Sequence, residues 1–424
     1  MKKLSVRVLA VLLALTMLVS LAACKQEQPQ DEDVTIYFCN YAVLETAHTE
    51  FWNKMVSDFQ EANPHIKVEV VSAAYNDVLT YAINRIGGGD RIDVMYGEIG
   101  WNQVLASNGV TSPISEVFDK SFLGNFDSNI LSCFNYKGQV YGLPFLTSGL
   151  TLMMNKRVIE AAGLDINNPP KTQKELEAWC EVLKEKCDDD VVILGLPMAE
   201  KTAPGSFIKS MIYAFGGTIT DADGKLAIDG NQGFDEAIDF YKSCVDKGWT
   251  KVNQLPKDLR PMMATDKVAM YVDQTWGFSG TYAVDKNAAD YVVTAGMPAM
   301  GTNGKGLTGL SAHTFYVSDN GDKEAAATKK FVEYLLNNDE FYAHFAESTP
   351  GYYTYGPKKN SNLHPILETS KDSANKIQSE VFFEKQDAYQ ISIAKMVNAI
   401  CSGTATKADA IANFKKEVAS YVNK

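Results

Sequence analysis

Residues 34–96 read VTIYFCNYAVLETAHTEFWNKMVSDFQEANPHIKVEVVSAAYNDVLTYAINRIGGGDRIDVMY. The stretch alternates two kinds of pattern. Segments 34–39, 66–71 and 92–96 are short, apolar and β-rich, which reads as strands. Between the first two, Phe51, Met55 and Phe59 recur at a spacing of four, the mark of an amphipathic helix, which Asn63-Pro64 then stops. Between the last two, 75–86 reads as a helix closed by Gly87-Gly88-Gly89. Strands that alternate with helices predict a mainly parallel sheet covered on both faces.

The alternation continues outward. A helix is predicted over 101–107, ended by Asn108-Gly109, and 141–155 is a long apolar extended stretch. Further helices are predicted over 157–162, 206–215, 234–247 and 324–336, and further strands over 191–195, 268–272 and 310–317. Thr172 with Glu175 forms a capping box after Pro169-Pro170, and Asp223-Gly224 turns a short hairpin. From Ser379 onward the chain reads as helices. No internal repeat is visible, and two α/β lobes are the natural partition of 424 residues.

The N-terminus has a different character. Lys2, Lys3 and Arg7 precede an almost unbroken apolar run over 8–21, and small residues lead to Cys24. The pattern is that of a secretory signal over 1–23, too short for a membrane-spanning helix. Its Leu21-Ala22-Ala23-Cys24 end resembles the bacterial lipoprotein signal, which implies that Cys24 is acylated and becomes the new N-terminus. Residues 25–33, KQEQPQDED, hold no apolar side chain and read as a flexible tether. The body is thus expected outside the cell, anchored to the outer face of the membrane.

The formal net charge is −12, and removal of the three signal-segment cations leaves the rest near −15. An acidic surface argues against a nucleic-acid partner. Besides Cys24, the six cysteines (Cys39, Cys133, Cys180, Cys187, Cys244, Cys401) are scattered and form no CxxC, so no zinc site is predicted; Cys180 and Cys187 could share a helix face, and most of the six read as small buried hydrophobes in a chain long enough to fold without disulfides. Asp221-Ala222-Asp223-Gly224 lacks the full ligand series of a calcium loop, and Gly87-Gly88-Gly89 stands in the wrong order for a phosphate loop. No GxSxG, HExxH or Walker pattern is present. No metal, cofactor or catalytic residue is therefore expected. A glycosidase needs only two carboxylates, which any acidic chain supplies, so a glycan-processing enzyme stays open at this level.

Several motifs, in order, resemble the extracellular solute-binding proteins of bacterial ABC importers, in the sugar-binding branch that includes maltose-binding protein. They are FQEANPHIKVEV over 59–70, Ile92-Asp93-Val94, GVTSPI over 109–114, Tyr141-Gly142-Leu143-Pro144, Asn155-Lys156, Ala162-Gly163-Leu164 and Pro170-Lys171-Thr172. Phe215-Gly216-Gly217, Val268-Ala269-Met270 with Trp276, and Gly351 before Tyr352 complete the series. The chain departs from the pattern at Gln173, where an aromatic is usual, and at Tyr352-Tyr353, where Pro and Arg are common.

The resemblance implies a two-lobed periplasmic-binding-protein-like fold of the α/β class with a multi-strand hinge. Lobe 1 would comprise 34–145 plus 311–351, and lobe 2 would comprise 146–310 plus 352–424. It implies a monomer that binds a carbohydrate between the lobes and delivers it to the permease subunits of an ABC importer. Other ligands left open are a peptide, a polyamine and a sugar phosphate, the last with Lys209 as its cation; a sensor role toward a membrane kinase is a further alternative.

Sugar sites need aromatic platforms for C–H faces and polar side chains for hydroxyls. Ligand groups of parallel sheets gather past the carboxyl ends of strands. That rule selects Asn40, Tyr41 and Glu45 after the first strand, Glu98 and Trp101 after the third, and Phe207 with Glu200 after 191–195. Trp276 and Phe278 follow 268–272, and the resemblance gives Trp276 a stacking role. Ser148 falls where the family places a ligand-contacting glutamate. His313 and Ser311 lie at the second crossing, Tyr352 and Tyr353 at the third, and Tyr389 with Gln390 near another stacking position of the family. Trp52, Trp179 and Trp249 are expected to pack helices.

Overall fold

In the computed structural model the described residues are 32–422, without 76, 222, 360, 362, 379 and 421. The expected signal segment, Cys24 and most of the tether lie outside them. Among the described residues, no helix is long and apolar enough to cross a membrane.

Two sheets organise the chain. The first has six strands in the order Tyr352–Tyr353, Gly142–Ser148, Ser311–Val317, Val94–Glu98, Val34–Cys39 and Ile66–Val71. Val34–Cys39 runs parallel to both of its neighbours, as the opening alternation requires. Ser311–Val317 is antiparallel to both of its own neighbours, so the sheet is mixed. The second sheet has four strands in the order Val292–Gly296, Leu150–Asn155, Val268–Gln274 and Val192–Gly195. Helices cover both sheets. Thr49–Ala62 buries Trp52, Met55, Val56 and Phe59, one stripe of a helix whose other face is polar. Each lobe has its own apolar core.

The chain passes first between the lobes at Gly149, which separates Gly142–Ser148 from Leu150–Asn155. A Cβ at Gly149 would stand 2.4 Å from Thr308 Oγ1, so only glycine lets two crossing segments come this close. Thr308–Gly309 pairs in parallel with Ile377–Gln378, and the chain then returns through Ser311–Val317.

The third crossing departs from the expected boundary at Gly351. Tyr352 and Tyr353 pair with Thr147 and Leu146 at the edge of the first sheet, and Tyr355 bridges to Phe126 in the same lobe. Backbone pairing along this otherwise open edge carries the chain further before it leaves. The segment Pro365–Asn375 then reaches the second sheet, where Thr294 Oγ1 lies 2.8 Å from Ser370 Oγ.

Helix Asp339–Ser348 and strand Val292–Gly296 were not read from the sequence. The capping box was: Thr172 Oγ1 accepts from Glu175 N, and Glu175 accepts from Thr172 N.

Candidate ligand-binding cleft

Around Val34–Cys39 the strand order reverses, with Ile66–Val71 on one side and Val94–Glu98 on the other. Such a switch opens a crevice beyond the carboxyl ends of the strands. Asn40 and Tyr41 follow Val34–Cys39 there, and Glu98 and Trp101 lie at the end of Val94–Glu98.

These residues form a connected aromatic cluster, in which Tyr41, Tyr96 and Trp101 are buried in the first-lobe core. Tyr41 stacks on Tyr96 at 5.1 Å between ring centroids and meets the edges of Tyr75 at 5.1 Å and Trp101 at 5.8 Å. Tyr75 and Trp101 are 5.7 Å apart. Trp101 lies flat against the sheet because position 97 is glycine; a Cβ there would stand 2.8 Å from the indole. Tyr75 remains 42% exposed, a large ring left open to solvent. Tyr96 continues the row to His313, whose ring stacks nearly parallel to it at 5.6 Å. The Tyr96 hydroxyl and His313 Nδ1 are hydrogen-bonded at 2.9 Å. The second lobe contributes Trp276, 4.9 Å from His313, so the row spans both lobes.

The polar groups are few. The Tyr75 hydroxyl donates to Glu98 Oε2 at 3.0 Å. Burial pushes the Glu98 carboxyl up to about 7; the Tyr75 bond pulls it back, while Asp387 and Glu45 raise it further. Glu45 and Asp387 stand exposed at the rim. Burial pushes His313 down to about 3, so its imidazole is neutral in the folded protein. Asn40 is fully buried; its Oδ1 accepts from Ala42 N, and its Nδ2 has no hydrogen-bond partner among the described residues.

The remaining candidates sit elsewhere. Phe207 is 2% exposed and Tyr389 1% exposed, both inside the second-lobe core, where Tyr389 packs on Phe383 at 4.9 Å. Phe278 is 1% exposed in a satellite cluster beside Tyr282 and His364. Tyr352 packs against the same cluster, and its hydroxyl is 3.0 Å from Ser370 Oγ. These four positions were expected at the cleft. Helix Thr202–Ala214 packs closely on Gln386–Ser402, so rings on those faces are consumed as core.

Ser148 does not present a free hydroxyl either. It accepts from Thr275 N at 2.9 Å, lies 3.0 Å from Thr275 Oγ1 and donates to Gly149 O at 2.8 Å. Thr275 Oγ1 in turn donates to Pro350 O at 2.6 Å, so Ser148 belongs to the hinge. Lys209 is nearly fully buried and ion-paired with Glu380.

Trp276 is held by a buried charge pair. Arg260 Nε and Nη2 donate to Asp273 Oδ2 and Oδ1 at 2.7 and 3.0 Å. Asp273 Oδ1 also accepts from Gln274 N, which fixes the start of the Trp276 turn. Tyr75, Tyr96 and Asp387 were not selected from the sequence. Tyr75 opens a predicted helix, which the structure starts only at Val78, and Tyr96 ends a predicted strand; only the position past a strand end carried a usable signal.

The sequence profile of the family described as bacterial extracellular solute-binding protein matches residues 45–340. The chain belongs to this family. Among relatives of this solute-binding protein, a putative binding protein of Brucella abortus (strain 2308) is 24% identical over 292 residues, 68% of this chain and 69% of that one. An ABC transporter solute-binding protein of Thermotoga lettingae TMO, solved with α-D-tagatose, superposes with a TM-score of 0.75 at 21% identity, over 92% of this chain and 99% of that one. The cyclic α-maltosyl-1,6-maltose binding protein of Arthrobacter globiformis superposes with a TM-score of 0.77 at 17% identity, over 92% and 99%. The solute-binding protein thus has the two-lobed fold of periplasmic binding proteins.

Proposed function

We propose that this protein captures a carbohydrate between its lobes and delivers it to the permease of an ABC importer, with acylated Cys24 holding it as a monomer at the outer face of the membrane. The observation that carries the reading is the pair of accessible rings at the cleft, exposed Tyr75 and half-buried Trp276 of the second lobe, backed by the buried rings of Tyr41, Tyr96 and Trp101. Rings of this kind suit the C–H faces of sugars, and Asn40, Glu98 and Glu45 beside them suit hydroxyls. Of two solved proteins with the same fold, one holds α-D-tagatose and the other is a cyclic α-maltosyl-1,6-maltose binding protein.

Ligand that touches both lobes favours the closed arrangement by its differential contacts, and the permease reads that form. Binding without turnover follows from this role. The Lys209–Glu380 pair removes the cation on which a sugar phosphate reading relied.

A thermal-shift screen of residues 34–424 against mono- and oligosaccharides, peptides, amino acids and polyamines tests the reading. A ligand at 100 times its Kd adds about 2.7 kcal/mol. A sugar hit that Trp276→Ala abolishes supports it; a peptide hit with every sugar silent refutes it.

A further inference from the structure

The mouth of the cleft is acidic from both sides. Glu98 is half-buried beside Tyr75, Glu45 stands on the rim of the first lobe, and Asp387 faces them from the second. Burial raises the Glu98 carboxyl, and the charges of Asp387 and Glu45 raise it further. His48 Nε2 lies 4.0 Å from Glu45 Oε2. Burial lowers the proton affinity of His48, and its Nδ1 is engaged by His344 at 2.8 Å. Lys209 is spent on Glu380.

A neutral sugar can use carboxylates as hydroxyl acceptors, but it does not offset the repulsion among three of like sign. An anionic sugar is repelled by all three. A cation is attracted by all three, and also by the exposed ring of Tyr75. The buried Asn40 Nδ2 calls for a different group, because an amide nitrogen only donates and therefore suits a hydroxyl oxygen. One ligand thus needs both a cationic group and ring hydroxyls, on a body with apolar faces.

We propose that the cleft takes an amino sugar, with its protonated amine against Glu98 beside Tyr75 and Trp101 and a ring hydroxyl on the Asn40 amide. The inference rests on the carbohydrate reading above and narrows it. The amine neutralises the carboxylates at the mouth, while Tyr75 and Trp276 accept the ring.

Isothermal titration of the mature chain at pH 7 tests it. The probes are glucosamine and its β-1,4 dimer, the hydroxyl counterparts glucose and cellobiose, the N-acetylated counterparts, and spermidine. The amino sugars are expected to bind about tenfold or more tighter than both sets of counterparts, as a charge-assisted hydrogen bond allows. Glu98→Gln is expected to bring that ratio close to one, and Asp387→Asn to lower it by a smaller factor. Hydroxyl or acetylated sugars binding as tightly as the amines would overturn the amino-sugar assignment and leave the carbohydrate reading standing. Failure of every amino sugar to bind overturns the assignment whatever else binds. Spermidine binding with all sugars silent overturns both.

Discussion

Phe382 and Phe383 are neighbours in the chain, yet their rings are buried in different lobes. Phe382 joins the core of the first lobe, and Phe383 joins the core of the second against Tyr389. Consecutive side chains of an extended segment point to opposite sides, so one short strap is anchored in both bodies. Opening the cleft must draw Phe382 out or drag the strap with it. Phe382→Ala is expected to ease opening: the unliganded protein should show a larger radius of gyration in small-angle scattering, with weaker ligand affinity. Phe383→Ala is expected to cost about 3 kcal/mol in urea unfolding and to leave the unliganded radius unchanged. Identical behaviour of the two variants would contradict the split anchoring.

Thr275 ties three segments of the hinge through its backbone N–H and hydroxyl, to Ser148 and to the Pro350 carbonyl. Thr275→Val keeps the shape and removes the hydroxyl, leaving a buried carbonyl without its donor. The expected loss is about 1–2 kcal/mol, measured as a shift of the urea midpoint at unchanged slope.

Arg260 and Asp273 form a bidentate pair in which the carboxylate is fully buried. Arg260→Met strands that charge and should destabilise by about 3–5 kcal/mol. Adding Asp273→Asn removes the charge, so the double variant should be more stable than Arg260→Met alone. Additive losses in a double-mutant cycle would rule out the pairing.

Trp276 is half-buried and its one described ring contact is His313, across the cleft. Trp276→Ala is expected to weaken ligand binding by about tenfold or more, and to lower the unliganded protein's stability by only about 1 kcal/mol, since little core is lost. Calorimetric titration and a melt of the same sample separate the two effects.

Glu98 and His313 are direct cross-strand partners, and their protonation acts on stability in opposite senses. The folded His313 binds a proton only near pH 3, against an ordinary value of 6.5. The unfolded chain therefore binds more protons between those values, and this contribution is lost as pH falls through that window. The folded Glu98 holds its proton up to about 7, against 4.5 unfolded. Its contribution is greatest below pH 4.5 and declines as pH rises to about 7. Other groups around the pair titrate too: burial lowers His48, His344 and His364, and raises Glu45 and Asp387. Variants isolate each group: Glu98→Gln should flatten the decline between pH 5 and 7, and His313→Gln should reduce the acid loss between pH 6 and 4. Melting temperatures measured across that range check both signs.

The sequence by itself determined the alternation of strands and helices, the capping box at Thr172 and the class of the fold, because periodicity and caps are local properties of the chain. It also placed Asn40, Tyr41, Glu98 and Trp101 at one crevice, since the carboxyl ends of parallel strands converge whatever the loops contain. Trp52 and Trp249 were read as packing residues and are buried as such.

Tertiary structure alone decided which aromatic residues stay accessible and which are buried as core. Phe207, Phe278 and Tyr389 sit on helices like many others, and only the packing of helix on helix buried them. Ser148 became a hinge residue because Thr275, 127 positions away, closes on its hydroxyl. Tyr352 and Tyr353 joined the first sheet because its edge offered backbone partners. The sequence leaves those choices undetermined because the same apolar or hydroxyl side chain serves a core, a hinge or a ligand equally well until distant segments fix what surrounds it.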